Sequence, residues 1–236
     1  MIDTSFVFDG IRAKDMGLEL QAPLILTEAV PRVETYSIPG RNGDLHFYDG
    51  SYDNRRVYGS CFVLGRGASD TITRINRWLL GSRGYKRLIL DECPDHFLLA
   101  RSEYGLQQQL RLGILGKGNI SFDCMPQRFL MYGEKSVEVS HLGGIVNPTG
   151  FASLPLITVT GSGNVTVSSG DWEISITDLN GSLTFDSESS FAYNGNTNLN
   201  SFISVSGEVV LLPGENVINI SGNVESLRIT PRWWEI

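Results

Sequence analysis

Cys93-Pro94-Asp95-His96 places a thiol and an imidazole with two residues between them, a spacing that some zinc sites use. No second closely spaced pair completes four ligands. A Cys/His nucleophile needs the ring to approach a thiolate in space, which adjacency along the chain does not supply. His46, in a presumed hairpin, reads as a surface or sheet residue. Gly65-Arg66-Gly67-Ala68-Ser69-Asp70 has part of a phosphate loop but lacks the third glycine and the Lys-Ser/Thr pair, so it reads as a strand-to-helix turn. Leu115-Gly116-Lys117-Gly118 lacks that spacing too and reads as a hairpin turn. The carboxylate pairs Asp171/Glu173 and Asp186/Glu188 fall at i and i+2, on one face of a strand. Glycoside hydrolysis needs two carboxylates at a set separation, but a solvated acidic face is the commoner cause of such pairs. Trp172, Trp233 and Trp234 could stack on sugar rings; core and edge packing is the favoured reading. In a strand the last two point to opposite faces, so at most one of them is core. These fragments make no complete catalytic set. The expectation is no enzyme, with catalytic residues, metal and cofactor all absent.

The elements that would position these residues are mostly strands. Short apolar segments at Phe6 to Phe8, Leu18 to Leu20, Leu24 to Leu26, Val33 to Ile38, Leu45 to Tyr48 and Val57 to Leu64 are of strand length and rich in aromatic and β-branched residues. Asn42-Gly43 and Asp49-Gly50 are turn signals, because tight hairpin turns need the positive φ that Asn, Asp and Gly tolerate. The stretch 33 to 64 therefore reads as a set of hairpins. One helix is predicted, from about Asp70 to Leu80, with Ser69 or Asp70 as cap, Ile72, Ile75 and Leu79 on one face, Trp78 bordering it and Gly81 ending it. Strand-like runs resume at Arg87 to Leu90, Phe97 to Ala100, Leu106 to Leu115, Asn119 to Cys124 and Phe129 to Met131.

The softer segment His141 to Gly150 marks a junction. Beyond it come eight short strands: Leu156 to Thr160, Val165 to Val167, Trp172 to Ile176, Leu183 to Phe185, Phe202 to Val205, Val209 to Leu212, Val217 to Ile220 and Leu227 to Ile229. Turn pairs such as Asn180-Gly181 and Ser221-Gly222 fall between them, the pattern of a β-sandwich.

Composition separates the same two parts. Residues 1–140 carry 17 basic and 17 acidic side chains, whereas residues 141–236 carry 2 and 9, so the whole net charge of −7 lies in the last 96 residues. That balance argues against a nucleic-acid-binding surface, and the different surfaces point to two domains. Hydrophobic residues at 41% suffice for a core. No apolar run of about 18 residues is present to span a membrane, and the N-terminus lacks a signal-peptide pattern; a protein made and kept in a cytosol is expected. Cys61, Cys93 and Cys124 are an odd number with no Cys-x-x-Cys, so buried thiols are expected rather than disulfides.

At this point the residues resemble a known family. Ile38-Pro39-Gly40-Arg41-Asn42-Gly43-Asp44, with the hairpin through Tyr52, resembles the Pro-Gly-Arg-(Asn/Asp)-Gly signature of distal tail proteins from long, flexible-tailed bacteriophages. Trp78-Leu79, Gly84-Tyr85 to Leu88, Pro94-Asp95 to Ala100-Arg101, Phe122-Asp123-Cys124 to Pro126-Gln127-Arg128-Phe129, Leu212 to Asn216 and Pro231-Arg232-Trp233-Trp234 continue the match in order.

The resemblance implies a mainly β protein: an N-terminal β-rich ring-forming domain with one α-helix (residues 1–138) and a C-terminal galectin-like β-sandwich (residues 139–236). It implies a structural hexameric hub at the distal end of a siphophage or prophage tail. The ring would join the tail tube protein to tail-associated fibre, lysin or baseplate proteins at the virion tail tip and be assembled in the host bacterial cytoplasm, with DNA passing through the lumen without specific binding and no membrane partner. Gly40, Arg41, Asn42, Gly43 and Asp44 are the first-choice intersubunit contact, since opposite charges at a turn tip suit the register of a closing ring; Arg55, Arg56 and Arg66 are further candidates. The rival reading is a carbohydrate-binding module recognising host glycans, and a third is a cell-wall hydrolase. Residues 142–236 leave no room for an inserted carbohydrate module and contain no His, so a galectin-type sugar site is absent.

Overall fold

The computed structural model describes residues 4–64, 67–111, 115–140 and 143–236, with residues 107–111 and 115 described by backbone alone. The chain divides into two compact units, residues 1–128 with Ile236 and residues 129–235. No helix among the described residues is long and apolar enough to cross a membrane.

Unit one contains β1 (Phe6–Phe8), β2 (Ile11–Arg12), β3 (Glu19–Leu20), β4 (Ile25–Leu26), β5 (Pro31–Tyr36), β6 (Leu45–Tyr52), β7 (Arg55–Leu64), α1 (Ala68–Gly81), β8 (Lys86–Leu90), β9 (His96–Ser102), β10 (Gln107–Arg111) and β11 (Leu115–Leu130). Its main sheet runs β2-β1-β8-β9-β11-β7-β3, with β4 also on β7 and β10 on β11. Along β7 the period of two buries Val57, Cys61 and Val63 and leaves Arg56, Tyr58 and Leu64 outside. Leu115-Gly116-Lys117-Gly118 is strand, not turn: Gly116 pairs with Val63 and Gly118 with Cys61 in the β7–β11 ladder. A distant strand supplies the pairing, and no local rule reveals it.

Helix α1 buries Ile72, Ile75 and Leu79, as their spacing predicts. It begins two residues early, however. Gly67, at φ 87, is the N-cap, and no side chain caps the helix; Asp70 sits in the first turn, where its charge favours the positive end of the helix dipole. Gly65 and Arg66 lie outside the described residues. Trp78 is buried rather than bordering, and its indole N–H donates to the Phe8 carbonyl at 3.1 Å. It stacks on Phe6 with ring centres 6.0 Å apart, and Phe122 meets Phe6 edge-on at 5.5 Å and lies 5.0 Å from Phe8. These four rings form the middle of the unit-one core. Burial pushes the thiols of Cys61 and Cys124 up to about 12, so neither is a ready nucleophile. Cys93 is half-buried.

Unit two contains β12 (Val137–Glu138), β13 (Gly143–Asn147), β14 (Leu156–Ser169), β15 (Trp172–Asp186), β16 (Phe191–Asn194), β17 (Thr197–Asn198), β18 (Ile203–Ser206) and β19 (Gly214–Thr230). The order is β12-β19-β14-β15-β16-β17, with β13 also on β19 and β18 on β15. Of the junction segment 141–150, residues 143–147 are strand β13, and His141 and Leu142 lie outside the described residues. Segments that read as separate strands are halves of long ones: Leu156 to Thr160 and Val165 to Val167 are both β14, and Trp172 to Ile176 and Leu183 to Phe185 are both β15. Asn180-Gly181 and Ser221-Gly222 lie inside strands, with Gly181 at φ 92 and Gly222 at φ 98. A Cβ on Gly222, which has φ +98, would run into the Asn164 carbonyl oxygen, and one on Gly161 into that of Asn223. These are places where two backbones close on each other, and β14 shifts register there. Val165, Val167 and Ile174 from one half-strand set share a single core with Ile157, Leu183 and Phe185 from the other. The long antiparallel strands thus fold over one interior to make a sandwich.

Candidate self-assembly surface

Strands β5 and β6 form a two-stranded sheet of their own. Register places Val33 opposite Tyr48 and Thr35 opposite His46 on one side, Glu34 opposite Phe47 and Tyr36 opposite Leu45 on the other. Both sides carry open rings: Tyr36 is 53% exposed, Phe47 58% and Tyr48 67%. Tyr36 and Phe47 meet edge-to-face at 5.6 Å, and the Tyr36 hydroxyl donates to Glu34 at 2.8 Å. A hairpin with neither side buried is marginal in water. Large rings left open side by side make this hairpin the candidate surface for docking.

The loop between these strands contains the five predicted interface residues, and all five are exposed. Ile38-Pro39-Gly40-Arg41 closes as a turn with the Arg41 N–H donating to the Ile38 carbonyl at 3.1 Å. Proline fixes the first corner, and Gly40 at φ 82 takes the second, which a type II turn requires. Gly43 is at φ 79, and the Ser37 hydroxyl donates to Asp44 at 2.6 Å, bracing the base of the loop. Asp44 is thereby committed within the loop. Arg41 makes no ion pair among the described residues. The hairpin does not turn at Asp49-Gly50, contrary to the sequence reading: these residues bulge inside β6, where the register shifts between Pro31 and Val33, and Gly50 takes φ 82.

The base of the hairpin is anchored. The Asp53 N–H donates to the Val30 carbonyl at 2.8 Å, and Arg32 pairs with Asp53 at 2.8 Å. Next to it, Asn54 Nδ2 donates to Asp123 Oδ1 at 2.9 Å, and Arg101 Nε to Asp123 Oδ2 at 2.8 Å. The Tyr85 hydroxyl reaches the same carboxylate at 3.4 Å. Tyr85, Arg101 and Asp123 each belong to a motif of the sequence resemblance, but their convergence on one point was not read from the sequence. The three lie on different strands or loops, and pairing of β8 with β9, which sets Lys86 opposite Ala100, and of β9 with β11 brings them together.

Of the further arginine candidates, Arg55 is a correction: it is 0% exposed and offers a neighbouring copy no surface. The alternation of β7 carries it inward with Val57. Arg56 points outward and pairs with Glu103 at 3.0 Å. Arg66 lies outside the described residues.

The remaining fragments take structural positions. The His96 N–H donates to the Cys93 carbonyl at 3.2 Å in a turn leading into β9. Trp172 is buried, its indole N–H donating to the Val210 carbonyl at 2.8 Å, so it presents no stacking face; Trp233 is buried as well. Trp234 stacks on Phe151 at 4.5 Å. Asp186 and Glu188 both reach Arg232, at 2.7 and 3.5 Å.

Burial alone would raise the Asp186 carboxyl. The hydrogen bonds and charge of Arg232, with the N–H groups of Glu188 and Ser189, outweigh it and hold the group below the ordinary carboxylate range. A carboxyl with a depressed folded value stabilises the fold above its unfolded value of about 3.9 and loses that contribution as pH falls through the folded value. An Arg232→Ala variant is therefore expected to lose about 2 kcal/mol at pH 7. Between pH 5 and 2 its stability should fall less steeply than that of the parent, as measured by urea unfolding at each pH.

No family model matches the chain, and no curated protein matches it. Among solved structures it is similar to the Dit (gp 19.1) protein of phage SPP1, described as a paradigm of the hub adsorption apparatus in phages infecting Gram-positive bacteria. The TM-score is 0.76 at 14% identity, over 96% of this chain and 97% of that one. The likeness covers nearly the whole of both chains, and this chain has the fold of a phage distal tail protein.

Proposed function

We propose that the chain is a structural hub at the distal end of a long flexible phage tail, or of a prophage-encoded tail, and not an enzyme. Six copies close into a ring that joins the tail tube protein to the fibre, lysin or baseplate proteins below, and DNA passes through without specific binding. The fold likeness over nearly the whole of both chains carries the reading. The free hairpin supports it from the chain itself, since its open rings suit a heterologous contact in which one copy's arm lies on the next. The five loop residues Gly40 to Asp44, with Arg41 free to pair outward, are assigned to that contact. The acidic second unit keeps so large an assembly soluble.

The test is the mass of the purified full chain in solution across a concentration series. Assembly to six times 26.0 kDa is expected. Monomers only, at the highest concentration reached, together with normal tail tips in particles lacking the protein, would contradict the reading.

A further inference from the structure

The free hairpin enters the main sheet through Asn54, one residue before β7. Hydrogen bonds at this root fall into two sets. One set joins the two legs of the hairpin to each other. Val30 and Arg32 both meet Asp53, and below them the Arg56 N–H donates to Thr27 Oγ1 at 2.8 Å while the Thr27 N–H donates to the Arg56 carbonyl at 2.9 Å. Bonds along such a line act as a hinge and do not by themselves fix a tilt about it. The other set reaches sideways. Asn54 Nδ2 donates to Asp123 Oδ1 on β11 and to the Tyr85 hydroxyl, both at 2.9 Å, and Arg101 Nε on β9 holds the second Asp123 oxygen at 2.8 Å.

The Asp123 side chain is 14% exposed, so water weakens these charge-assisted bonds little. Asp123 faces Arg56 in the β7–β11 ladder, and Tyr85 directly precedes β8. One carboxylate thus gathers groups from β9, β11 and the start of β8 around a single residue of the hairpin's root.

A two-stranded arm with most of both faces open to water has no packing of its own to fix its direction. Direction matters when the arm must meet a second copy. At about 3.3 Å per residue the 6 residues of β5 carry the loop roughly 20 Å from the root, and about 10° of play there moves the tip by roughly 3.5 Å, more than a hydrogen bond tolerates. An angle already fixed in the free chain spares the association step that ordering. We propose that Asp123 is a positioning residue: held by Arg101 and Tyr85, it acts through Asn54 to set the angle at which the β5–β6 arm leaves the sheet, and so prepares the arm to dock on a second copy. The docking half rests on the function proposed above, and the angle does not.

Asn54 is exposed, so Asn54→Asp leaves the core intact while it sets two carboxylates against each other. Asn54→Asp combined with Asp123→Asn restores an amide–carboxylate pair at the parent's net charge. Sedimentation velocity of the full chain should show association about tenfold weaker in Asn54→Asp and within about threefold of the parent in the exchanged pair. The angle is read by electron–electron double resonance between spin labels on Asn42→Cys and Arg77→Cys in a Cys93→Ser background, where Cys61 and Cys124 are buried and stay unlabelled. The labelled chains also carry Phe47→Asp and Tyr48→Asp, so that no neighbour holds the arm. The distance distribution should be about twice as wide in Asn54→Asp and narrow again in the exchanged pair. An unchanged width overturns the proposal, as does a wider distribution with association unaltered or one that the exchange fails to narrow. A parent chain that never associates contradicts the proposed function alone, and the width then decides whether Asp123 sets the arm. If the exchanged pair fails to fold, Asn54→Ala decides in its place, and it must widen the distribution as Asn54→Asp does.

Discussion

A chain with Phe47→Asp and Tyr48→Asp together is expected to remain folded and to lose self-association by more than about a hundredfold. The two rings point to opposite sides of the free hairpin, so the pair of carboxylates spoils both sides at once. In the isolated chain both positions face water, so the change costs the fold little, within about 0.5 kcal/mol for exposed sites. In the proposed assembly a neighbour would cover the same positions. Burying an unpaired carboxylate there, with the loss of an aromatic anchor, removes about 2 kcal/mol or more at each site. Sedimentation velocity of variant and parent at matched concentrations reads the effect, with circular dichroism confirming the fold. Unchanged association would mean that the contact lies elsewhere, for instance on the outer side of β7, where Tyr58 and Leu64 are also exposed.

The second large effect is on stability. Phe122→Ala is expected to destabilise unit one by about 3–5 kcal/mol, the range for removing a fully buried aromatic side chain. Phe122 is 0% exposed and touches both Phe6 and Phe8, which themselves pack on Trp78. Interiors are packed as densely as organic crystals, so four interlocked rings cannot collapse into the space one of them leaves. Phe122→Leu should cost less than half as much. Denaturant unfolding of both variants checks the order, and a cost below 1 kcal/mol for the alanine variant would mean that the rings do not carry the core.

Much of this architecture was legible in the sequence because it is written in local patterns. The period of the apolar residues located α1 and most strands, and the step in charge and polarity after residue 140 separated two surfaces. What stayed hidden was set by partners distant along the chain. Asn180-Gly181 reads as a turn because positive φ serves turns, yet Gly181 at φ 92 lies inside β15 opposite Gly161, and only the neighbouring strand decides between the two. Gly116 and Gly118 read as a turn for the same reason and lie in a ladder. Arg55 reads as a further candidate contact, since arginine is seldom fully buried, but the alternation of β7 turns it inward.

The loop proposed as an interface was legible as a loop, since Pro39-Gly40 and Asn42-Gly43 each demand a turn. Its setting was not. No local pattern says that the hairpin stands apart from both cores, or that Tyr85, Arg101 and Asp123 meet beside its base. In the terminal motifs the pattern held residues whose work is structural. Asn216 donates to the Leu212 carbonyl at 2.8 Å and to that of Gly214 at 3.0 Å, pinning its turn, and Arg232 holds Asp186.

The central claim is that copies of this chain close on one another around an opening. Electron microscopy of the purified full-length protein at high concentration tests it most directly. A six-fold annulus with an open centre is the predicted image. Isolated single chains throughout, or open head-to-tail filaments that never close, would contradict it.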